Sequence, residues 1–210
     1  MSTTLIGSNG SMGLRYQAIL KHLNEPFYAL DKEHSTEEIF KALDNSERVI
    51  LCTPTETHYK LLKSIIPLQK PILCEKPITK SVKELEILFS NVLKYNTHFT
   101  MMFQYSELIP PKQENFNSNY NYFRTGKDGL IWDCLQIIGL AKGEVEILND
   151  SPIWKCRING KKLSLHDMDQ AYVAFVNKWK NDFIDQNLTN LYNIHIKTER
   201  MANELNSKFN

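Results

Sequence analysis

The sequence predicts an α/β protein: an N-terminal doubly wound parallel sheet over residues 1–108, then a smaller α+β open-sheet domain over residues 109–210 with a helical tail. Three observations predict it. Short apolar runs alternate with helical apolar stripes through the first part of the chain. Each run ends in a turn-rich patch that opens a helix. Beyond Ile109-Pro110-Pro111 the texture changes to Asn- and Ser-rich sequence with short β-like stretches. Strands that alternate with helices need crossover connections, and these build a parallel sheet with helices on both faces.

Each element has its own signal. Thr3-Thr4-Leu5-Ile6-Gly7 is a short buried strand running into a glycine-rich turn, and Tyr16, Ile19, Leu20 and Leu23 at helical spacing make the next segment a helix. Phe27 to Leu30 is a second apolar run that closes at Asp31. Ser35-Thr36-Glu37-Glu38 then has the form of a capping box, with Ile39 and Leu43 behind it. Arg48 to Cys52 is the third strand and stops at Thr53-Pro54, ahead of a helix with Tyr59, Leu62, Ile65 and Ile66. The fourth strand, Pro71 to Cys74, ends in Glu75-Lys76-Pro77. A second capping box, Ser81 to Glu84, opens the helix of Leu85, Leu88, Phe89 and Val92, and Thr97 to Phe103 is a fifth strand. In the second domain the β-like stretches are Tyr120 to Thr125, Glu144 to Leu148 and Ile153 to Ile158, with a hairpin signal at Asn159-Gly160. A helix from Gln170 to Phe183 carries Tyr172, Phe175, Val176, Trp179 and Phe183 on one face, and the tail begins near Leu188.

Composition excludes several classes. With 25 basic and 24 acidic residues the chain has no general attraction to nucleic acid or anionic lipid. No apolar run approaches the roughly 20 residues that span a bilayer, and the N-terminus has no signal-peptide form. Cys52, Cys74, Cys134 and Cys156 lack metal-like spacing, so no metal is expected. A cytoplasmic protein in a reducing compartment follows, and a partner such as a small-molecule substrate has to be read from its sites.

The strand-to-helix turn Gly7-Ser8-Asn9-Gly10-Ser11-Met12-Gly13 is the first constellation with chemistry in it. Glycines there allow close backbone approach to a pyrophosphate, whose charge the helix N-terminus faces. Asp31, closing the second strand, can accept hydrogen bonds from both ribose hydroxyls of an adenosine. Lys32 beside it could instead take a 2′-phosphate, so the cofactor is NAD or NADP, with Asp31 favouring NAD. Cys52, Thr53 and Pro54 end the third strand, and the crevice of a doubly wound sheet lies at such carboxyl ends; His58, one turn into the next helix, lies close to it. Glu75, Lys76 and Pro77 end the fourth strand in the same crevice, where Lys76 can pass a proton to or from a substrate hydroxyl.

Taken together, the glycine turn, Asp31, "VILCTPTETHYKLL" at 49–62, "KPILCEKPITKS" at 70–81 and, more loosely, "DGLIWDCLQIIGLAKG" at 128–143 resemble the Gfo/Idh/MocA family of NAD(P)-dependent oxidoreductases. The resemblance implies a Rossmann domain followed by an open-sheet domain, truncated here, through which a homodimer could form. It also implies oxidation or reduction of sugars, cyclitols or related hydroxy and keto compounds, with Lys76 beside the nicotinamide. By the same resemblance Asp133 is a catalytic candidate, and Gln104, Asp133 and Gln136 join Lys76 as substrate contacts. Two departures stand out: Ile137 occupies the place of the family's catalytic histidine, and the glycine turn is one residue longer than Gly-x-Gly-x-x-Gly. Two functions are therefore expected from the sequence: a compact oxidoreductase relying on Lys76, or a non-catalytic dinucleotide-binding module that acts as a sensor or partner subunit.

Overall fold

The structure, a computed structural model, describes residues 2–108, 120–121, 147–148, 155–158, 161–163, 165–182, 184 and 186–207. The chain divides into two compact units, residues 1–102 with 176–186, and residues 103–175 with 187–210. This division differs from a single cut after residue 108, because a short segment near the C-terminus returns to the first unit. Among the described residues no helix is long and apolar enough to cross a membrane.

The first unit alternates strand and helix: β1 (Thr3–Ile6), α1 (Ser11–His22), β2 (Phe27–Leu30), α2 (Thr36–Asp44), β3 (Arg48–Leu51), α3 (Thr55–Ile65), β4 (Ile72–Cys74), α4 (Val82–Tyr95) and β5 (Phe99–Met101). The five strands are parallel in the order β2-β1-β3-β4-β5. Central strands β1 and β3 are buried at every position, the polar Thr3, Thr4 and Arg48 included, as strands covered on both faces are. The edge strand β2 has two exposed residues.

Register aligns the strand ends. Ile6 pairs with Leu30 and Leu51, Leu51 with Cys74, and Cys74 with Met101. The next residues, Gly7, Asp31, Cys52, Glu75 and Met102, therefore share one row at the carboxyl edge. Hydrogen bonds carry the ladder into that row: Gly7 N donates to Leu30 O at 2.8 Å, Cys52 N to Ile6 O at 2.9 Å, Glu75 N to Leu51 O at 2.8 Å and Met102 N to Cys74 O at 2.8 Å. Order reverses direction between β1 and β3, which is where an open α/β sheet leaves a crevice.

In the first unit the helix starts follow their signals, with one exception. Ser35 and Glu38 form the reciprocal capping box at α2. At α4 Ser81 accepts from Glu84 N, but the Glu84 carboxylate takes the Thr79 hydroxyl instead of returning to Ser81. Thr79 Oγ1 accepts from Ser81 N in its place, so the expected box is half made.

The second unit holds β6 (Tyr120–Asn121), β7 (Ile147–Leu148), β8 (Lys155–Ile158) and β9 (Lys161–Leu163) in a mixed sheet of order β7-β6-β8-β9. Ile158 pairs with Lys161 across the Asn159-Gly160 hairpin signal. Helix α5 (Leu165–Asp182) begins five residues before the expected Gln170, and α6 (Leu188–Ser207) is the tail. Along α5 the buried side chains Met168, Ala171, Tyr172, Phe175, Val176 and Trp179 follow helical spacing.

The end of α5, from residue 176, belongs to the first unit and is bonded to its sheet. Arg48, almost wholly buried at the start of β3, donates from Nη1 to Lys180 O at 2.7 Å and lies 6.0 Å from the Trp179 ring. A guanidinium at a helix C-terminus meets the negative end of the helix dipole. Lys180 Nζ pairs with Glu25 at 3.1 Å, and Thr3 Oγ1 donates to the same carboxylate at 3.2 Å. Beyond the helix, the Gln186 amide accepts from Met101 N at 2.8 Å and donates to Met101 O at 2.9 Å, while Thr100 Oγ1 donates to Ile184 O. One side chain thus imitates a sixth strand and covers the edge of β5. Gln186→Ala leaves both main-chain groups of buried Met101 without this partner and is expected to lower stability by about 2 kcal/mol. A urea midpoint equal to that of the wild type would show that the edge is covered by something else.

Candidate functional site

The turn after β1 is built by two glycines. Gly7 has φ +95°, in the left-handed region, and a Cβ there would lie 2.7 Å from Thr53 N and 2.8 Å from Cys52 C. A Cβ on Gly13 would meet Gly7 O at 2.1 Å. Gly7 lets the turn lie against the end of β3, and Gly13 lets α1 lie against the turn. Gly10 is different, since its Cβ would find nothing nearer than 3.6 Å. It is the N-cap of α1, makes no side-chain capping bond, and is followed by no acidic residue in the first turn. Helix N–H groups left without a capping side chain, at the positive end of the dipole and beside exposed Asn9, Gly10 and Ser11, fit a phosphate group. The longer glycine spacing is therefore accommodated at Gly10, while the two demanding positions remain glycine.

Asp31 fastens β2 to this turn. Its Oδ2 accepts from Asn9 N at 2.8 Å and its Oδ1 from Lys32 N at 2.7 Å. These bonds, the Asn9 one foremost, hold the carboxyl below its ordinary pKa despite the cost of burial. Each oxygen keeps a second lone pair, so the oriented carboxylate can accept two further hydroxyl protons. The Asn9 side chain also donates to Glu33.

The Glu75-Lys76-Pro77 corner is built from below. Glu75 is 5% exposed; its Oε1 accepts the Tyr16 hydroxyl at 2.8 Å and its Oε2 accepts Lys76 N at 3.1 Å. Burial pushes this carboxyl up, against the opposing pull of the Lys76 charge and the Tyr16 hydroxyl. Lys76 itself is half-buried, and the Lys76–Pro77 peptide is cis.

His58 braces two loops. Its Nε2 lies 2.7 Å from Thr53 O, and its Nδ1 lies 3.1 Å from Pro77 O and 3.2 Å from Ile78 O. Carbonyls at both ring nitrogens favour the charged ring, but burial prevails and holds the imidazole below its usual pKa. Both nitrogens face main chain, so the ring ties the loop after β3 to the loop after β4. Cys52 and Cys74 are buried free thiols whose pKa values burial raises, and they behave as packing residues.

The candidate residues from Gly7 to Gly13, Asp31, Cys52, Thr53, Pro54, His58, Glu75, Lys76 and Pro77 thus gather at one edge of the first unit. Within that edge Glu75, His58 and Cys52 lie beneath the surface and support it. Gln104 falls in a short 3-10 turn, Gln104–Leu108, of the second unit and is buried. Asp133, Gln136 and Ile137 lie outside the described residues. Tyr16 was missed as a site residue, because its place on the apolar stripe of α1 hid it. The signal was available: a tyrosine on a buried face needs a partner for its hydroxyl.

Residues 11–103 match the model of an oxidoreductase family, the Gfo/Idh/MocA family with its NAD-binding Rossmann fold. Among solved structures, a myo-inositol dehydrogenase from Corynebacterium glutamicum is similar with a TM-score of 0.73 at 13% identity, over 98% of this chain and 96% of that one. A Gfo/Idh/MocA family oxidoreductase from Vibrio cholerae gives 0.71 at 10% identity over 100% and 99%. The WlbA dehydrogenase from Thermus thermophilus, in complex with NAD and UDP-GlcNAcA, gives 0.68 at 11% identity over 96% and 95%. At these identities the likeness is one of fold. Among curated proteins, no sequence matches.

Two predictions follow from the edge geometry. Gly13→Ala must displace α1 or the turn and is expected to cost about 3 kcal/mol or more, whereas Gly10→Ala costs about 1 kcal/mol or less, both by thermal unfolding. Glu75 has a folded-state pKa above its ordinary 4.5, so its contribution to stability is present at low pH and lost as pH rises through the folded value. Urea midpoints from about pH 4 to about pH 8 should therefore fall for the wild type relative to Glu75→Gln, and a constant difference would contradict the shift.

Proposed function

We propose that the protein, whose residues 11–103 match the Gfo/Idh/MocA oxidoreductase family model, is an oxidoreductase acting on a sugar, cyclitol or related hydroxy or keto compound, with Lys76 as its acid/base group. The observation that carries this reading is the shared row of Gly7, Asp31, Cys52 and Glu75, with Lys76 one residue beyond it. The residues present fit a dinucleotide. The uncapped start of α1 would hold the pyrophosphate and Asp31 the adenosine ribose. A bound nicotinamide supplies the hydride chemistry. Lys76, half-buried at the same edge, would hold a proton at the substrate oxygen and give or take it as the adjacent carbon is reduced or oxidised. NAD is preferred to NADP in this reading, because Asp31 stays anionic and Glu33 stands close to it through Asn9, so a 2′-phosphate would meet two carboxylates.

A second reading, a non-catalytic dinucleotide-binding module, is favoured by Ile137 at the place of the family histidine. NADH fluorescence and a panel of polyols, sugars and keto-sugars separate the two. The expected outcome is NADH binding at least about tenfold tighter than NADPH, and turnover of one panel member that Lys76→Ala lowers about 100-fold or more while NADH affinity changes little. Binding without any turnover favours the module. Absence of dinucleotide binding removes both readings.

A further inference from the structure

We propose that Tyr16 is a positioning residue for the nicotinamide end of the site, acting through Glu75 on the main chain at Lys76. This rests on the dinucleotide reading above and adds to it a residue the glycine motif does not contain. The Tyr16 side chain is fully buried on α1, beside Ile19 and Leu20, and a phenylalanine could fill the same space. Its hydroxyl is directed to Glu75 Oε1 at 2.8 Å, while the other carboxylate oxygen takes Lys76 N at 3.1 Å. The terminal torsion of a glutamate is broad, so one pinned oxygen leaves the group free to turn. Two pinned oxygens fix it. The hydroxyl of Tyr16 therefore sets the carboxylate plane, and that plane sets where the Lys76 N–H and the peptide into Pro77 can lie.

The rest of the corner is already rigid. Glu75 N is tied to Leu51 O at 2.8 Å, and His58 faces the Pro77 and Ile78 carbonyls. Lys76 N lies between these holds and is governed by the Glu75 side chain. Because Tyr16 stands five residues beyond Ser11, about 8 Å along the helix axis, one helix serves both ends of a dinucleotide. Its first turn faces the pyrophosphate, and its second sets the wall beside the nicotinamide. The wall is main chain, so truncating the Lys76 amine leaves it in place while loosening Glu75 does not.

The test compares NADH with ADP-ribose, which keeps the adenosine, the pyrophosphate and a ribose but lacks nicotinamide. Tyr16→Phe is expected to weaken NADH about fivefold to tenfold and ADP-ribose less than about twofold, by fluorescence and calorimetry. Glu75→Met, which keeps the side-chain length but removes both acceptor oxygens, should show the same discrimination. The double variant should add little to either single one, as expected for two residues acting as a unit. If Tyr16→Phe does not fold, Glu75→Met reads the same discrimination alone. Equal weakening of both ligands, no weakening of either, or an additive double variant overturns the proposal while leaving the dinucleotide reading intact. Wild-type protein that binds neither ligand overturns that reading, and the proposal with it.

Discussion

Two missing Cβ atoms govern the whole carboxyl edge. With any side chain at Gly7 the turn after β1 would collide with the main chain at Cys52 and Thr53, and with any at Gly13 helix α1 would collide with the turn itself. Close approach at these two points brings α1 down onto the sheet. Only then can Tyr16 reach Glu75, can Gln17 donate to Ser8 O, and can Asn9 N reach Asp31. The side-chain network of the site follows from a main-chain contact.

That network is made of buried polar groups, and their energetics favour fixed geometry over stability. Glu75 loses solvation on burial and recovers part of it from Tyr16 and Lys76 N. His58 does the same with three main-chain carbonyls. Removing one partner from such a pair leaves the other buried and unmet, so each contact resists change more strongly than its net contribution suggests. In the second unit His195 is a simpler case: its Nδ1–H donates to Leu191 O within α6, and burial pushes the ring down to about 4.

The five strands of the first unit were legible because each is a short, mostly apolar run that ends in a turn opening or preceding a helix. The capping box at Ser35 was legible for the same local reason. The one at Ser81 was half misread, since Thr79, two residues earlier, competes for Glu84. The start of α5 was placed too late because Leu165 to Asp169 carry a weaker apolar stripe than Tyr172 to Trp179. The return of residues 176–186 to the first unit had no local signal at all. It depends on Arg48 and Gln186 meeting main chain far away in sequence.

What the sequence by itself determined is the set of residues that can do chemistry: the glycine turn, Asp31, the Thr53-Pro54 turn, His58 and the Glu75-Lys76-Pro77 corner. Residue type and strand-end position are local properties, so they can be read along the chain. Tertiary structure decided which of them stand at the edge and which hold it up. Strand register put Gly7, Asp31, Cys52 and Glu75 on one row, and side-chain direction turned Glu75 and His58 inward. It also chose Tyr16, because a hydrogen-bond partner for a buried hydroxyl is fixed by packing across the fold, 59 residues away along the chain.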